Sequence, residues 1–264
     1  MANTWFDAPA ACLSLGWRRP VHTFAAVVST NDTARGLAQE GVPSGAVVLA
    51  ESQEAGRGRE GRNWSSPPRG GVYLSMILDQ GTGLTPPLAA VVAGADIARE
   101  LTRLPAAGGR AKVQLKWPND LIVDDRKLGG ILVESGRGPG YEHRLVIGVG
   151  INLRREDLPA EFAGSAVAFD EFAPDVDAVD VAGAVIRGID ERVPSPPRSL
   201  GDAALAEIAD LDWLWGRRVC VTTGAGRPEL RGVAAGIASD GALLIRSGNG
   251  ELSKVTAGTV RAEP

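Results

Sequence analysis

Residues 115–134 read Leu115-Lys116-Trp117-Pro118-Asn119-Asp120-Leu121-Ile122-Val123-Asp124-Asp125-Arg126-Lys127-Leu128-Gly129-Gly130-Ile131-Leu132-Val133-Glu134. Leu121 to Val123 and Lys127 to Glu134 are short apolar runs joined by the polar Asp124-Asp125-Arg126, the pattern of two strands and a turn. Val113 to Lys116 is a further short strand, and it runs into Trp117-Pro118-Asn119-Asp120, where Pro118 fixes φ in a turn. Arg144 to Val149 is the last strand of this set and leads into Gly148-Val149-Gly150-Ile151-Asn152.

Upstream, Val21 to Val28 is apolar and β-prone, and Ser29-Thr30-Asn31-Asp32 brings helix-capping chemistry before a helix over Thr33 to Gln39. Gly41, with Pro43 beyond, ends that helix. A strand at Ala46 to Ala50 enters the stretch Glu51 to Trp64, where three glycines alternate with three arginines, a loop by composition. Gly71 to Leu78 reads as a strand, and Leu84 to Leu104 as a long helix with Pro86 and Pro87 in its opening turn. Downstream, residues Arg154 to Asp180 are acidic and loop-rich. Val181, Val185 and Ile189 share one face of a helix over Asp177 to Val193, which Pro194-Ser195-Pro196-Pro197 breaks before a second helix at Leu200 to Leu211. Beyond Trp215 come short strands at Arg218–Thr222, Leu230–Ile237, Ala242–Arg246 and Glu251–Val255, with Ser239-Asp240-Gly241 and Gly248-Asn249-Gly250 as hairpin turns. They predict a small antiparallel barrel of about 50 residues.

The chain has 264 residues, room for one large domain and a small one, and its net charge of -4 exerts no general pull toward nucleic acid or membrane. Cys12 and Cys220 cannot build a disulfide framework, which fits a reducing cytoplasm. His22 and His143 match no metal-ligand spacing, so no protein metal site is expected. The N-terminus lacks the pattern of a secretory signal, and no apolar run approaches the roughly 20 residues that span a bilayer.

Three blocks carry chemistry. In the glycine-arginine loop, backbone N–H groups and guanidiniums suit an anion such as phosphate, although solvated surface loops and nucleic-acid contacts share this composition. Asn119 and Asp120, at a rigid turn, have the groups to bond a ribose, a base or an amine, or simply to satisfy local backbone. Lys127 heads an apolar strand beside Gly129 and Gly130, where its ammonium either projects into a cleft or is solvated.

Together, and in this order, the blocks resemble the biotin protein ligases. Lys116-Trp117-Pro118-Asn119-Asp120 followed by Lys127-Leu128-Gly129-Gly130-Ile131-Leu132 resembles that family's central signature. Ser29-Thr30-Asn31, the loop Gln53 to Trp64, and Gly148, Gly150 and Asn152 match its other blocks, covering about residues 20–155, and the tail resembles its SH3-like C-terminal domain. The resemblance implies an α+β fold: a mixed β-sheet with flanking helices of the class II synthetase-like, biotin-lipoate ligase type, plus the SH3-like barrel. It places a catalytic biotin- and ATP-binding domain at residues 1–212 and the SH3-like domain at 213–264.

The implied reaction uses ATP, with Mg2+, to convert biotin to biotinoyl-5'-AMP, then transfers biotin to a lysine of a biotin carboxyl carrier domain. By resemblance Lys127, Asp120 and Arg57 are catalytic. Biotin falls to Ser29, Thr30, Asn31, Gln53, Gly56, Arg57, Lys127, Gly129, Gly130, Leu132, Gly148 and Gly150. The nucleotide falls to Arg59, Arg62, Trp64, Asn119, Asp120, Lys127, Ile151 and Asn152. Lipoate or octanoate attachment is the rival enzyme reading, which the tandem loop and the Lys116–Asp120 block disfavour. A regulator is the rival of another class. About twenty residues precede the first strand, below the roughly 40 that most unaided folds need, so a DNA-binding module and specific DNA binding are not expected. The expected protein is cytoplasmic, without membrane attachment, a monomer or weak homodimer.

Overall fold

The structure is a computed structural model and describes residues 17–80, 84–105, 111–136, 143–192, 199–224 and 229–263. Its larger sheet has seven strands in the order β1-β2-β3-β7-β6-β5-β4. They are β1 (Val21–Phe24), β2 (Val47–Ala50), β3 (Gly71–Asp79), β4 (Gln114–Lys116), β5 (Asp120–Val123), β6 (Arg126–Ser135) and β7 (Arg144–Asn152). Among the described residues only β1 and β2 pair in parallel within this sheet; its other neighbouring pairs are antiparallel, so the sheet is mixed. β3 is buried from Gly71 to Leu78, which explains its unbroken apolar run: a central strand covered on both faces has no solvent side to mark by alternation.

Helices cover the two faces unequally. α1 (Thr30–Gln39) lays Ala34 and Ala38 on Val48, Ile77 and Val146, so it covers only part of one face. α2 (Pro86–Thr102) is buried nearly all round, between the opposite face and α3 (Ala178–Arg192), with α4 (Asp202–Leu211) beyond. The face shared with α1 is therefore left open beside Gly148, Gly150 and Asn152, and a cavity forms there.

A second, antiparallel sheet follows in the order β11-β10-β9-β8-β12, from β8 (Arg218–Thr222), β9 (Leu230–Ile237), β10 (Leu243–Arg246), β11 (Leu252–Val255) and β12 (Thr259–Ala262). The two sheets share one apolar core. Trp117, 1% exposed, donates Nε1–H to Gly241 O at 2.9 Å, and Trp213 N–H donates to Leu115 O at 2.9 Å. No helix among the described residues is long and apolar enough to cross a membrane.

Several expectations need correcting. α1 begins at Thr30 rather than Thr33, and Ser29 stands at its N-cap without a side-chain cap bond. Ser29, Thr30 and Asn31 are 3%, 4% and 4% exposed because they face the sheet instead of the helix end. The first strand ends at Phe24 rather than Val28, leaving Val28 exposed. β12, which the sequence did not mark, pairs with β8. The loop-rich stretch after Arg154 contains three short 3-10 turns. The Pro194–Pro197 break and Cys12 lie outside the described residues.

Candidate active site

The cavity, about 670 Å3, is built from strand alternation. On β3 Tyr73 faces it, opposite Gly150 of β7, while Ser75, opposite Gly148, is buried behind Thr30 and Asn31. The glycines leave room that side chains fill from above. A Cβ on Gly148 would lie 2.1 Å from Asn31 Oδ1, and one on Gly150 would lie 2.5 Å from Trp64 Nε1. The sequence reading placed these glycines beside a ligand; the structure adds that they seat Asn31 and Trp64.

A chain of polar groups lines one end. Ser75 Oγ is 2.8 Å from Thr30 Oγ1 and 2.7 Å from Asn31 Oδ1. Thr30 donates from N and Oγ1 to Gln53 Oε1 at 2.9 and 3.1 Å, and Gln53 Nε2 donates to Ser66 Oγ at 2.8 Å. Asn31 Nδ2 donates to Glu134 Oε2 at 2.7 Å. This end thus offers uncharged donors and acceptors in fixed positions, suited to an amide-like or ureido group.

The glycine-arginine loop is folded as a small hairpin: Gly58 N–H donates to Arg62 O and Trp64 N–H to Gly56 O. Arg57 does not hang free in the cavity. Its Nη2 donates to Asp32 Oδ1 at 2.8 Å and to Glu134 Oε2 at 3.1 Å, and its Nε–H is buried without an acceptor among the described residues. Arg59 reaches Asn119 Oδ1 at 3.4 Å and Gly258 O at 3.5 Å, and Arg62 donates to Thr259 Oγ1 at 2.9 Å. The Trp64 Nε1–H is buried with no acceptor among the described residues.

Lys127 owes its aim to a β-bulge. Between Leu121↔Gly129 and Ile122↔Lys127 the register gains one residue on β6, so Leu128 stays in the core while Lys127 turns to the cavity. Its Nζ lies 2.6 Å from Asp120 Oδ1 and 5.4 Å from the Trp64 ring centroid. Lys116, opposite Asp120 in register, lies 5.4 Å over the Trp213 ring. Burial pushes its ammonium below the usual lysine range, and Lys127 adds to this against the opposing pull of Asp120. Tyr73 donates its hydroxyl to Pro67 O, and burial followed by the Asp157 carboxylate pushes its phenol up.

Most of the residues singled out in the sequence meet here: Ser29, Thr30, Asn31, Gln53, Arg57, Arg59, Arg62, Trp64, Asn119, Asp120, Lys127, Gly130, Leu132, Gly148, Gly150 and Asn152 all line the cavity. Gly56, Gly129 and Ile151 do not. Gly129 and Ile151 pair with each other on the core-facing side, and Gly56 packs under Trp64 O and Ser66 Oγ. Asn119 and Asn152 have their amide hydrogens committed to backbone, to Ile131 O at 2.7 Å and to Lys127 O and Val167 O at 3.3 and 3.1 Å. Sequence reasoning missed Ser75, Ser66, Asp32, Glu134, Phe162 and Thr259. Ser75 had a signal, a polar residue inside an apolar strand. The wall at Phe162 to Ala166 had none; it is held to β6 by Lys127 N–H donating to Ser165 O at 2.8 Å.

Comparison with known proteins is consistent along the chain. Residues 23–152 match the Biotin/lipoate A/B protein ligase family, and residues 215–261 match the Biotin protein ligase C terminal domain. The chain is 32% identical over 254 residues to the biotin--[acetyl-CoA-carboxylase] ligase of Mycobacterium tuberculosis, covering 93% of this chain and 89% of that protein. It is 35% identical over 205 residues to the bifunctional ligase/repressor BirA of Escherichia coli, covering 76% of this chain but only 62% of that relative, less than two thirds of its length. Among solved structures, the biotin protein ligase of Aquifex aeolicus in complex with biotin and ATP shares the fold with a TM-score of 0.76 at 24% identity, over 93% of this chain and 100% of that one. The Leishmania major biotin protein ligase in complex with biotinyl-5-AMP aligns with a TM-score of 0.60 at 27% identity, over 90% of this chain and 99% of that one.

Proposed function

The chain belongs to the biotin protein ligase family, and from that membership we propose that it activates biotin with ATP to biotinoyl-5'-AMP and transfers biotin to a lysine of a biotin carboxyl carrier domain. The observation that carries this reading is the position of Lys127. The bulge in β6 turns its ammonium into a cavity whose uncharged polar end holds Thr30, Asn31 and Gln53 and whose cationic rim holds Arg59 and Arg62.

That arrangement suits the two halves of the chemistry. In the first, a biotin carboxylate oxygen attacks the α-phosphorus of ATP, the bond to the β-phosphate oxygen breaks, and pyrophosphate leaves. Two anions must approach, so a fixed cation between them lowers the barrier. In the proposed complex the Lys127 ammonium meets both, exchanging part of its contact with Asp120 for them. Arg59 and Arg62 face the phosphates, with Mg2+ arriving on the ATP as part of the substrate, and Trp64 offers its ring to the nucleotide. Asn119 and Asn152 serve mainly by fixing the backbone of β6 around Lys127. In the second half the carrier amine attacks the acyl carbon and AMP departs. The amine must first lose a proton, and Asp120 is the carboxylate at hand.

The reading assigns the biotin and ATP sites to residues 1–212 and the SH3-like unit to 213–264, working in the cytoplasm as a monomer or weak homodimer. Its test at Asp120 uses preformed adenylate and a purified carrier domain. Asp120→Asn is expected to slow transfer by about 100-fold or more, within the usual range for a general base. Undiminished transfer would remove Asp120 from the role.

A further inference from the structure

The end of the loop nearest Thr30 is fastened by a charge cluster outside the steps above. Asp32 stands in the first turn of α1 and Glu134 near the end of β6, and the Arg57 guanidinium bonds both, at 2.8 and 3.1 Å. One side chain thus ties helix, strand and loop. Glu134 continues the tie inward, accepting from Asn31 Nδ2 at 2.7 Å, while Asn31 Oδ1 accepts from Ser75 at 2.7 Å. Arg35 pairs with Asp32 as well. The Arg57, Asp32 and Glu134 side chains are 36%, 31% and 31% exposed, partly shielded at the cavity wall.

The far half of the loop is held differently. Arg62 is 63% exposed, and the contacts of Arg59 at 3.4 and 3.5 Å lie at the outer limit of hydrogen bonding. The carboxylates therefore fix the Gln53–Gly58 half specifically. One guanidinium nitrogen, Nη2, carries two N–H donors and serves both carboxylates at once.

We propose that Asp32 and Glu134 are positioning residues for the biotin-binding end of the site: by clamping the Arg57 guanidinium they hold the first half of the loop against Thr30 and Asn31 before substrate arrives. Arg57 is then a brace rather than a catalytic group, which revises the catalytic role expected of it alongside biotin binding. A loop ordered in advance costs biotin less to bind. The inference rests on the proposed ligase activity.

The test uses full-length Asp32→Asn, Glu134→Gln and Arg57→Lys proteins. Biotin affinity is read by calorimetry, and the KM values for biotin and ATP are read separately in adenylate formation. Each isosteric variant is expected to weaken biotin about 5-fold in both Kd and KM, the scale of one partly shielded charged contact. The KM for ATP is expected to stay within about twofold of the parent, and Arg57→Lys to fall between parent and the carboxylate variants. Unchanged biotin affinity would overturn the clamp, as would an ATP KM rising by the same factor as that for biotin, the signature of a phosphate ligand. If Glu134→Gln does not fold, Asp32→Asn, on the half-exposed turn of α1, carries the same test. A parent that forms no adenylate refutes the activity, while the calorimetric comparison still decides the clamp.

Discussion

At the scale of single residues, the site depends on absences as much as on functional groups. Gly148 has no side chain because Asn31 occupies that space, and Asn31 is held there by Ser75 and Glu134. Gly148→Ala must displace a buried amide from those bonds. Its expected cost is about 1–3 kcal/mol of stability, the penalty for overpacking combined with a broken polar contact, and a raised KM for biotin. Denaturant unfolding and biotin titration of the variant measure both; parent-like stability would mean that Asn31 moves aside freely. Lys127 is likewise defined by one extra residue: without the bulge at Leu128 its parity on β6 would send it into the core.

At the scale of elements, the joint between the sheets is the most sensitive point. Asp212, just beyond α4, is 6% exposed; its Oδ1 accepts from Leu214 N–H at 2.9 Å, and its Oδ2 has no hydrogen-bond partner among the described residues. Burial pushes its carboxyl up from 3.8 to about 6, against the weaker opposing effect of that bond. A carboxyl with a raised folded pKa binds its proton more tightly when folded. Its contribution to stability is therefore most favourable below pH 4 and is lost as pH rises through about 6. Asp212→Asn is expected to stabilise the protein at pH 8, by an amount on the order of 2–3 kcal/mol, and to leave it little changed near pH 4. Melting curves of both proteins across that range measure the difference, and a pH-independent difference would contradict it. Such a joint was not legible in the sequence, where Asp212 is one acid among many. What was legible had local causes. The strands from Val113 to Asn152 carry their own apolar runs and turns, and the glycine-arginine loop betrays itself by composition. What was not legible depends on tertiary contact: α1 starts early because Thr30 and Asn31 face a sheet that the sequence does not display. β12 is only four residues long, and the wall at Phe162 has no pattern of its own. Resemblance to a family supplied the site residues, and strand parity turns two of them, Gly129 and Ile151, to the core-facing side.

At the scale of the molecule, a seven-stranded mixed sheet buries one face under α2 and α3 and opens part of the other beside α1. The open face receives uncharged polar groups at one end, arginines from the loop at the other, and Lys127 with Asp120 between strand and loop. The second sheet closes the rim, with Thr259 and Gly258 touching Arg62 and Arg59. The proposed activity is the activation of a carboxylate by ATP at Lys127. The direct measurement is exchange of labelled pyrophosphate into ATP by the purified protein, with and without biotin. Exchange is expected only with biotin present, and Lys127→Ala is expected to lower it by about 100-fold or more, the scale of a lost preorganised charge at a transition state. No biotin-dependent exchange in the parent, or undiminished exchange in the variant, would contradict the account.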